Sequence, residues 1–204
     1  MSSSTPKEPD SERIGEREHR HEAHSTGFLK EIWEWMKSLV VALCIVMLVH
    51  QYIFHLSMVK GGSMQPTLEE GEWLFINKAF RYVSSPERGD VIVVRDPEEG
   101  EGDEESPHPY LVKRVVAVAG DEVHIRQGKL YINGEAAQES YTDSPIEDGR
   151  IEPYQVKPGE VFVMGDNRHR YASLDSRSFG AVPLAKLEGR AEWILWPFYK
   201  MKKL

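Results

Sequence analysis

The chain has 204 residues, enough for one ordinary domain and an appendage, and carries 25 Lys+Arg against 33 Asp+Glu for a net charge of −8. Seven acids fall in the window 96–105, where no base answers them, so the remainder sits near −1. No basic stripe of the kind nucleic acid requires is present, one cysteine (Cys44) excludes an intrachain disulfide, and 40% apolar content excludes wholesale disorder.

Residues 1–32 open with Ser, Pro, Glu, Arg and three histidines, His19, His21 and His24. This composition predicts a disordered, solvated tail. Leu39–Val49 is then an uninterrupted apolar run, with Trp33 and Trp35 before it and Tyr52 and Phe54 after it, as interfacial aromatics would lie. Residues 33–56 would make about 36 Å of helix, enough to cross a bilayer core of about 30 Å. No small-x-small cleavage signature follows, so the segment reads as an uncleaved transmembrane anchor rather than a signal peptide. Lys30 and Lys37 before the apolar run, against Lys60 alone beyond the span, favour a cytoplasmic N-terminus by a small margin.

Residues 57–204 read as one extracytoplasmic β domain. Short runs rich in Val, Ile and aromatics occur at Trp73–Asn77, Val91–Val94, Leu111–Ala119, Val123–Arg126, Lys129–Ile132, Val161–Met164 and Ala191–Leu195. Gln127-Gly128 predicts a hairpin and Asn133-Gly134 a second turn. The acidic window between two strands reads as a solvated loop. Arg88-Gly89-Asp90 reads as a tight turn into the next strand.

Metal chemistry lacks a ligand pattern, and phosphate chemistry lacks a glycine-rich loop. Gly61-Gly62-Ser63-Met64-Gln65-Pro66-Thr67-Leu68 is different, because two glycines permit close approach of a second chain to Ser63. A serine nucleophile needs a base. His169 near Asp166 and His124 near Asp121 are options. Another is a lysine made neutral by apolar surroundings, which the strand around Lys113-Arg114 supplies. Period-2 alternation puts Lys113 with Leu111, Val115 and Ala117, and Arg114 with Val112, Val116 and Val118. Both faces are apolar, but only lysine can give up its proton.

In chain order, Gly62-Ser63-Met64 with Pro66-Thr67-Leu68, Arg88-Gly89-Asp90-Val91-Ile92, Lys113-Arg114-Val115-Val116 with Gly120-Asp121, Gly165-Asp166-Asn167-Arg168 with Ser173-x-Asp175-Ser176-Arg177, and Trp196-Pro197-Phe198 resemble the motifs of the type I signal peptidases. The resemblance spans roughly residues 33–199 and matches the short, single-anchor forms of this serine–lysine protease family. It implies a mainly β, antiparallel catalytic domain tethered by one N-terminal transmembrane helix. It also implies removal of signal peptides from precursor proteins at the bilayer, cutting after small residues, with no metal or organic cofactor. By the same resemblance Ser63 is the nucleophile and Lys113 the general base. Met64 would line the substrate side, and Ser173 would hydrogen-bond the lysine. Asp175 and Arg177 would form a supporting ion pair, and Asp166 with Asn167 would hold the nearby loop. The sequence departs from the pattern at Gly61, where some members carry a serine, and in having four residues, 169–172, where two are usual.

Overall fold

The computed structural model describes residues 12–97 and 110–204 and divides into two units, residues 1–49 and 50–204. Helix α1, Glu12–Tyr52, supplies the described residues of the first unit and runs on to Tyr52. Its stretch Lys30–Tyr52 is long and apolar enough to cross a membrane, with a mean hydropathy of 2.0 and none of it buried. Leu39, Val46 and Met47 are all exposed, so their stripe meets no protein core. From Glu12 onward the segment expected to be disordered is helical. No proline interrupts 12–52, so a helix nucleated in the apolar run can propagate back through it.

The helix also ends earlier than expected. Tyr52 closes it, and Phe54–Met58 is strand β1, paired antiparallel with β2, Trp73–Asn77. Phe54 stacks on Phe75 at 5.5 Å, which identifies the physical reason. Phe54, which resembles part of an interfacial belt in sequence, is here half of a cross-strand aromatic pair.

The expected β domain follows. β3 is Val91–Arg95, β4 Tyr110–Val118, β5 Glu122–Arg126, β6 Lys129–Ile132, β7 Glu135–Ala136 and β8 Ile151–Gln155. β9 is Glu160–Met164, β10 Val182–Pro183, β11 Leu187–Trp196 and β12 Lys202–Lys203. The larger sheet runs β1-β2-β11-β3-β4-β9-β10, with β12 on β11, and the smaller runs β7-β6-β5-β8. All pairings are antiparallel. The Gln127-Gly128 turn joins β5 to β6 with both residues at positive φ, the geometry a two-residue hairpin favours. Between β2 and β3 lies the one-turn helix α2, Phe80–Val83, and after β9 its counterpart α3, Ser176–Phe179.

Three apolar clusters hold the domain. One packs Val116, Phe162 and Met164 of the large sheet against Val123, Ile125, Leu130 and Ile132 of the small one. A second gathers Leu74, Ile76, Val91 and Ile194 around Val59, Met64 and Leu68 of the segment containing Ser63. The third joins Ile92, Val94, Val115, Val161 and Val163. Strict alternation fails once along β4. A bulge between Val115 and Ala117 moves Ala117 off the face of Lys113 and into the first cluster. Leu111 and Val115 stay on the lysine's face, joined by Ile92, its partner across β3.

Residues 98–109, with most of the acidic window, lie outside the described residues. Asp96, at the window's start, is buried rather than solvated. The backbone oxygens of Asp96 and Pro97 accept from Lys186 Nζ.

Candidate active site

Ser63 stands on a compact turn whose first residue, Gly61, has a φ of +78°, a conformation that side chains disfavour. Gln65 N–H donates to Gly62 O and Leu68 N–H to Met64 O, closing the turn. Met64 and Leu68 are buried beneath it. Met64 thus packs in the apolar cluster under the Ser63 turn; the resemblance implies that it lines the substrate side.

Lys113 comes from the middle of β4 and is only 2% exposed. Its Nζ lies 2.7 Å from Ser63 Oγ. Burial pushes its pKa down from 10.5 to about 8. The charges around it act in both directions: Asp175, Asp96 and Asp166 favour the ammonium, whereas Arg177 opposes it. The histidine options lie elsewhere. His169 Nδ1 is 3.0 Å from Glu147 Oε1, and the ring of His124 stacks on Tyr131.

The strand-to-loop exit of β9 closes the site from the other side. Asn167 N–H donates to Ser63 O at 3.1 Å, and Asn167 Nδ2 to Gly62 O at 2.9 Å. Gly165 is obligatory there, since a Cβ would sit 2.3 Å from both Ser63 O and Ser173 Oγ. That close approach brings Ser173 beside the nucleophile turn, but its hydroxyl takes a different partner from the one expected. Ser173 Oγ donates to Asp175 Oδ2 at 2.7 Å, and Gly165 N–H donates to the same oxygen at 3.0 Å. Arg177 completes the carboxylate's shell through Nε at 2.8 Å and Nη2 at 2.9 Å. Burial pushes Asp175 up, but the Arg177 guanidinium and these donors outweigh it and hold the carboxyl below its ordinary value.

Several supporting partnerships of residues named in the motifs were not legible in the sequence. Arg114 makes a two-pronged pair with Asp166, Nε to Oδ1 at 2.9 Å and Nη2 to Oδ2 at 2.7 Å. Its Nη1 donates to Gly89 O and its guanidinium covers the Tyr141 ring at 4.2 Å. Arg168 is fully buried, donates to Gly165 O, and grips Glu139 with both terminal nitrogens. Arg88 pairs with Asp121, tying the turn before β3 to the end of β4. A basic residue inside an apolar strand was the one available signal for Arg114. The carboxylates that answer Arg114 and Arg168 carry no local mark.

No group of His, Cys, Asp and Glu suited to a metal occurs among the described residues. A serine on a glycine turn within hydrogen-bond distance of a buried lysine is an arrangement suited to a serine hydrolase. Comparison with known proteins supplies the family. The model of the family described as "Signal peptidase, peptidase S26" matches residues 32–196, and the chain belongs to that family. It is 34% identical to signal peptidase I of Bacillus licheniformis, covering 89% of this chain and 98% of the relative. Against signal peptidase I T of Bacillus subtilis it is 32% identical, covering 83% and 88%. A solved signal peptidase I from Enterococcus faecalis is 30% identical, with a TM-score of 0.41 over 53% of this chain and 97% of that one.

Proposed function

We propose that this enzyme removes N-terminal signal peptides from exported precursor proteins through a Ser63–Lys113 dyad and an acyl-enzyme intermediate. The observation that carries the reading is the buried Lys113 Nζ within hydrogen-bond distance of Ser63 Oγ. In its neutral form the amine accepts the serine proton as Oγ attacks the scissile carbonyl. The resulting ammonium protonates the leaving amine, and a water activated by the same lysine then hydrolyses the ester. Ser63 N–H supplies one donor to the developing oxyanion; with glycine at 61, the second is a backbone group or water.

An extended substrate fits the sheet. β9 pairs with β4 from Arg114 onward, so Tyr110–Lys113 has β3 alone as a strand partner among the described residues. A peptide laid along that edge gains main-chain hydrogen bonds beside the nucleophile. The uncovered apolar helix supports an anchor in the bilayer, and Lys30 and Lys37 on its N-terminal side favour a cytoplasmic N-terminus with the β domain extracytoplasmic. Anchoring enzyme and precursor in one membrane raises their effective concentration. The test is cleavage of a precursor with Ala-x-Ala before its cut site, by full-length protein in detergent. Wild type is expected to release the mature chain and Ser63→Ala to leave it intact. Wild-type-like cleavage by Ser63→Ala would refute the dyad.

A further inference from the structure

The loop between β7 and β8 reaches across to the Gly165–Arg177 segment with two adjacent acids. Glu147 receives the Arg170 N–H at 3.0 Å and faces the His169 ring. Asp148 reaches further in. Its Oδ2 accepts from Tyr171 N–H at 2.7 Å, and its Oδ1 from Arg177 Nη1. Gly149 follows with a φ of +81°, which turns the chain away directly after this contact. Tyr171 itself sits at a φ of 60°, uncommon for a residue with a side chain, and its ring is exposed. Backbone contacts with Glu147 and Asp148, rather than packing of the Tyr171 ring, therefore secure residues 170 and 171. Residues 169–172 are the four that stand where the family pattern has two, and the acids at 147 and 148 answer their backbone donors.

The Arg177 fork is divided between two carboxylates. Nη1 is turned to Asp148, while Nε and Nη2 hold Asp175, which in turn receives Gly165 N–H and Ser173 Oγ. The Arg177 side chain is 5% exposed, so few of its donors can turn to water. We propose that Asp148 is a positioning residue for the reaction, bridging Arg177 and the Tyr171 backbone so that Asp175, Gly165 and Ser173 are held against the Ser63–Lys113 pair. The proposal rests on the serine–lysine reading above.

The charged groups facing Lys113 are Asp175, Arg177, Asp96 and Asp166. Asp148 balances part of the Arg177 charge. With Asp148→Asn that balance is lost, and the guanidinium bears more strongly against the ammonium of Lys113. The acid limb of the kcat/KM profile then moves to lower pH. Simple loosening of the loop does the opposite, because water admitted to Lys113 returns the limb towards higher pH. A downward shift marks a change confined to the charges held around Lys113, an upward one a site opened to water.

The experiment compares full-length wild type, Asp148→Asn, Asp148→Glu and Arg177→Lys in detergent on one precursor peptide. Expected are an about tenfold fall in kcat for Asp148→Asn, KM within about twofold of wild type, a limb displaced to lower pH, and partial recovery in Asp148→Glu. Arg177→Lys tests the same bridge if Asp148→Asn does not fold, because one ammonium cannot span two carboxylates as the fork does. It is expected to lose kcat likewise. Wild-type kcat in Asp148→Asn, a limb displaced upward, or wild-type kcat in Arg177→Lys would overturn the proposal. Ser63→Ala is run alongside. If it cleaves, the dyad itself has failed and the proposal falls with it; if it is inactive, the outcome bears on Asp148 alone.

Discussion

Lys113 offers the sharpest quantitative test. A lysine with an ordinary pKa of 10.5 is only about 0.3% neutral at pH 8. At a pKa of about 8 half of the molecules carry the free amine, so burial raises the supply of base by on the order of a hundredfold. The assay is initial-rate cleavage of a signal-bearing peptide in detergent between pH 6 and 10.5, with stability checked at each point. The kcat/KM profile is expected to rise through an apparent pKa of about 8. Lys113→Arg is expected to be inactive throughout, since guanidinium holds its proton. Lys113→Met is equally inactive but keeps the apolar contacts with Leu111, Val115 and Ile92. The same burial has a stability consequence. The folded state binds its lysine proton less tightly than the unfolded state, so below about pH 8 the wild type carries the full cost of a buried ammonium. Lys113→Met is therefore expected to be more stable there by on the order of 3 kcal/mol, an advantage that shrinks as pH climbs from about 8 to 10.5. An active Lys113→Arg enzyme, or a limb near 10.5, would refute the reasoning.

Other outcomes follow from the packing. Gly165→Ala places a methyl group against Ser63 O and Ser173 Oγ, and is expected to abolish cleavage while circular dichroism still reports a β fold. Arg114→Met strands the fully buried Asp166 carboxylate and is expected to cost about 3–5 kcal/mol in denaturant melts; an unchanged midpoint would show that the pair contributes nothing. Removal of residues 1–52 keeps β1, and the remaining chain is expected to fold and cleave a short peptide. Removal of 1–58 deletes the strand that pairs with β2 and is expected to lower the melting temperature measurably.

The strands legible in the sequence were those with apolar β-branched runs bounded by turn residues. Lys129–Ile132 begins and ends where its pattern indicated, and Gln127-Gly128 forms the turn before it. β1 was hidden because Phe54 and Leu56 continue an apolar run begun in the helix, and periodicity cannot separate the two over so few residues. β8 was hidden by Pro153, which argues against a central strand yet is tolerated at the sheet edge that β8 occupies. In the candidate site, the glycine turn at Ser63 and the base Lys113 in an apolar strand are local signals. Their pairing was implied only by the family resemblance, and the structure brings them to 2.7 Å. Arg114 and Asp166 lie 52 positions apart, and Arg177 and Asp148 lie 29 apart. No single stretch of sequence announces such partnerships. The bulge that removes Ala117 from the lysine face is equally invisible to strict alternation.

The position of β11 bears on when activity can arise during synthesis. This strand, Leu187–Trp196, lies between β2 and β3, although those strands are made roughly a hundred residues earlier. A growing chain that already contains Ser63 and Lys113 still has a gap in the middle of its sheet. It also lacks the Gly165–Arg177 segment until that stretch has left the ribosome. Ser63 and Lys113 are thus synthesised well before the strand that joins the two parts of their sheet, so the surroundings that bury Lys113 are completed late.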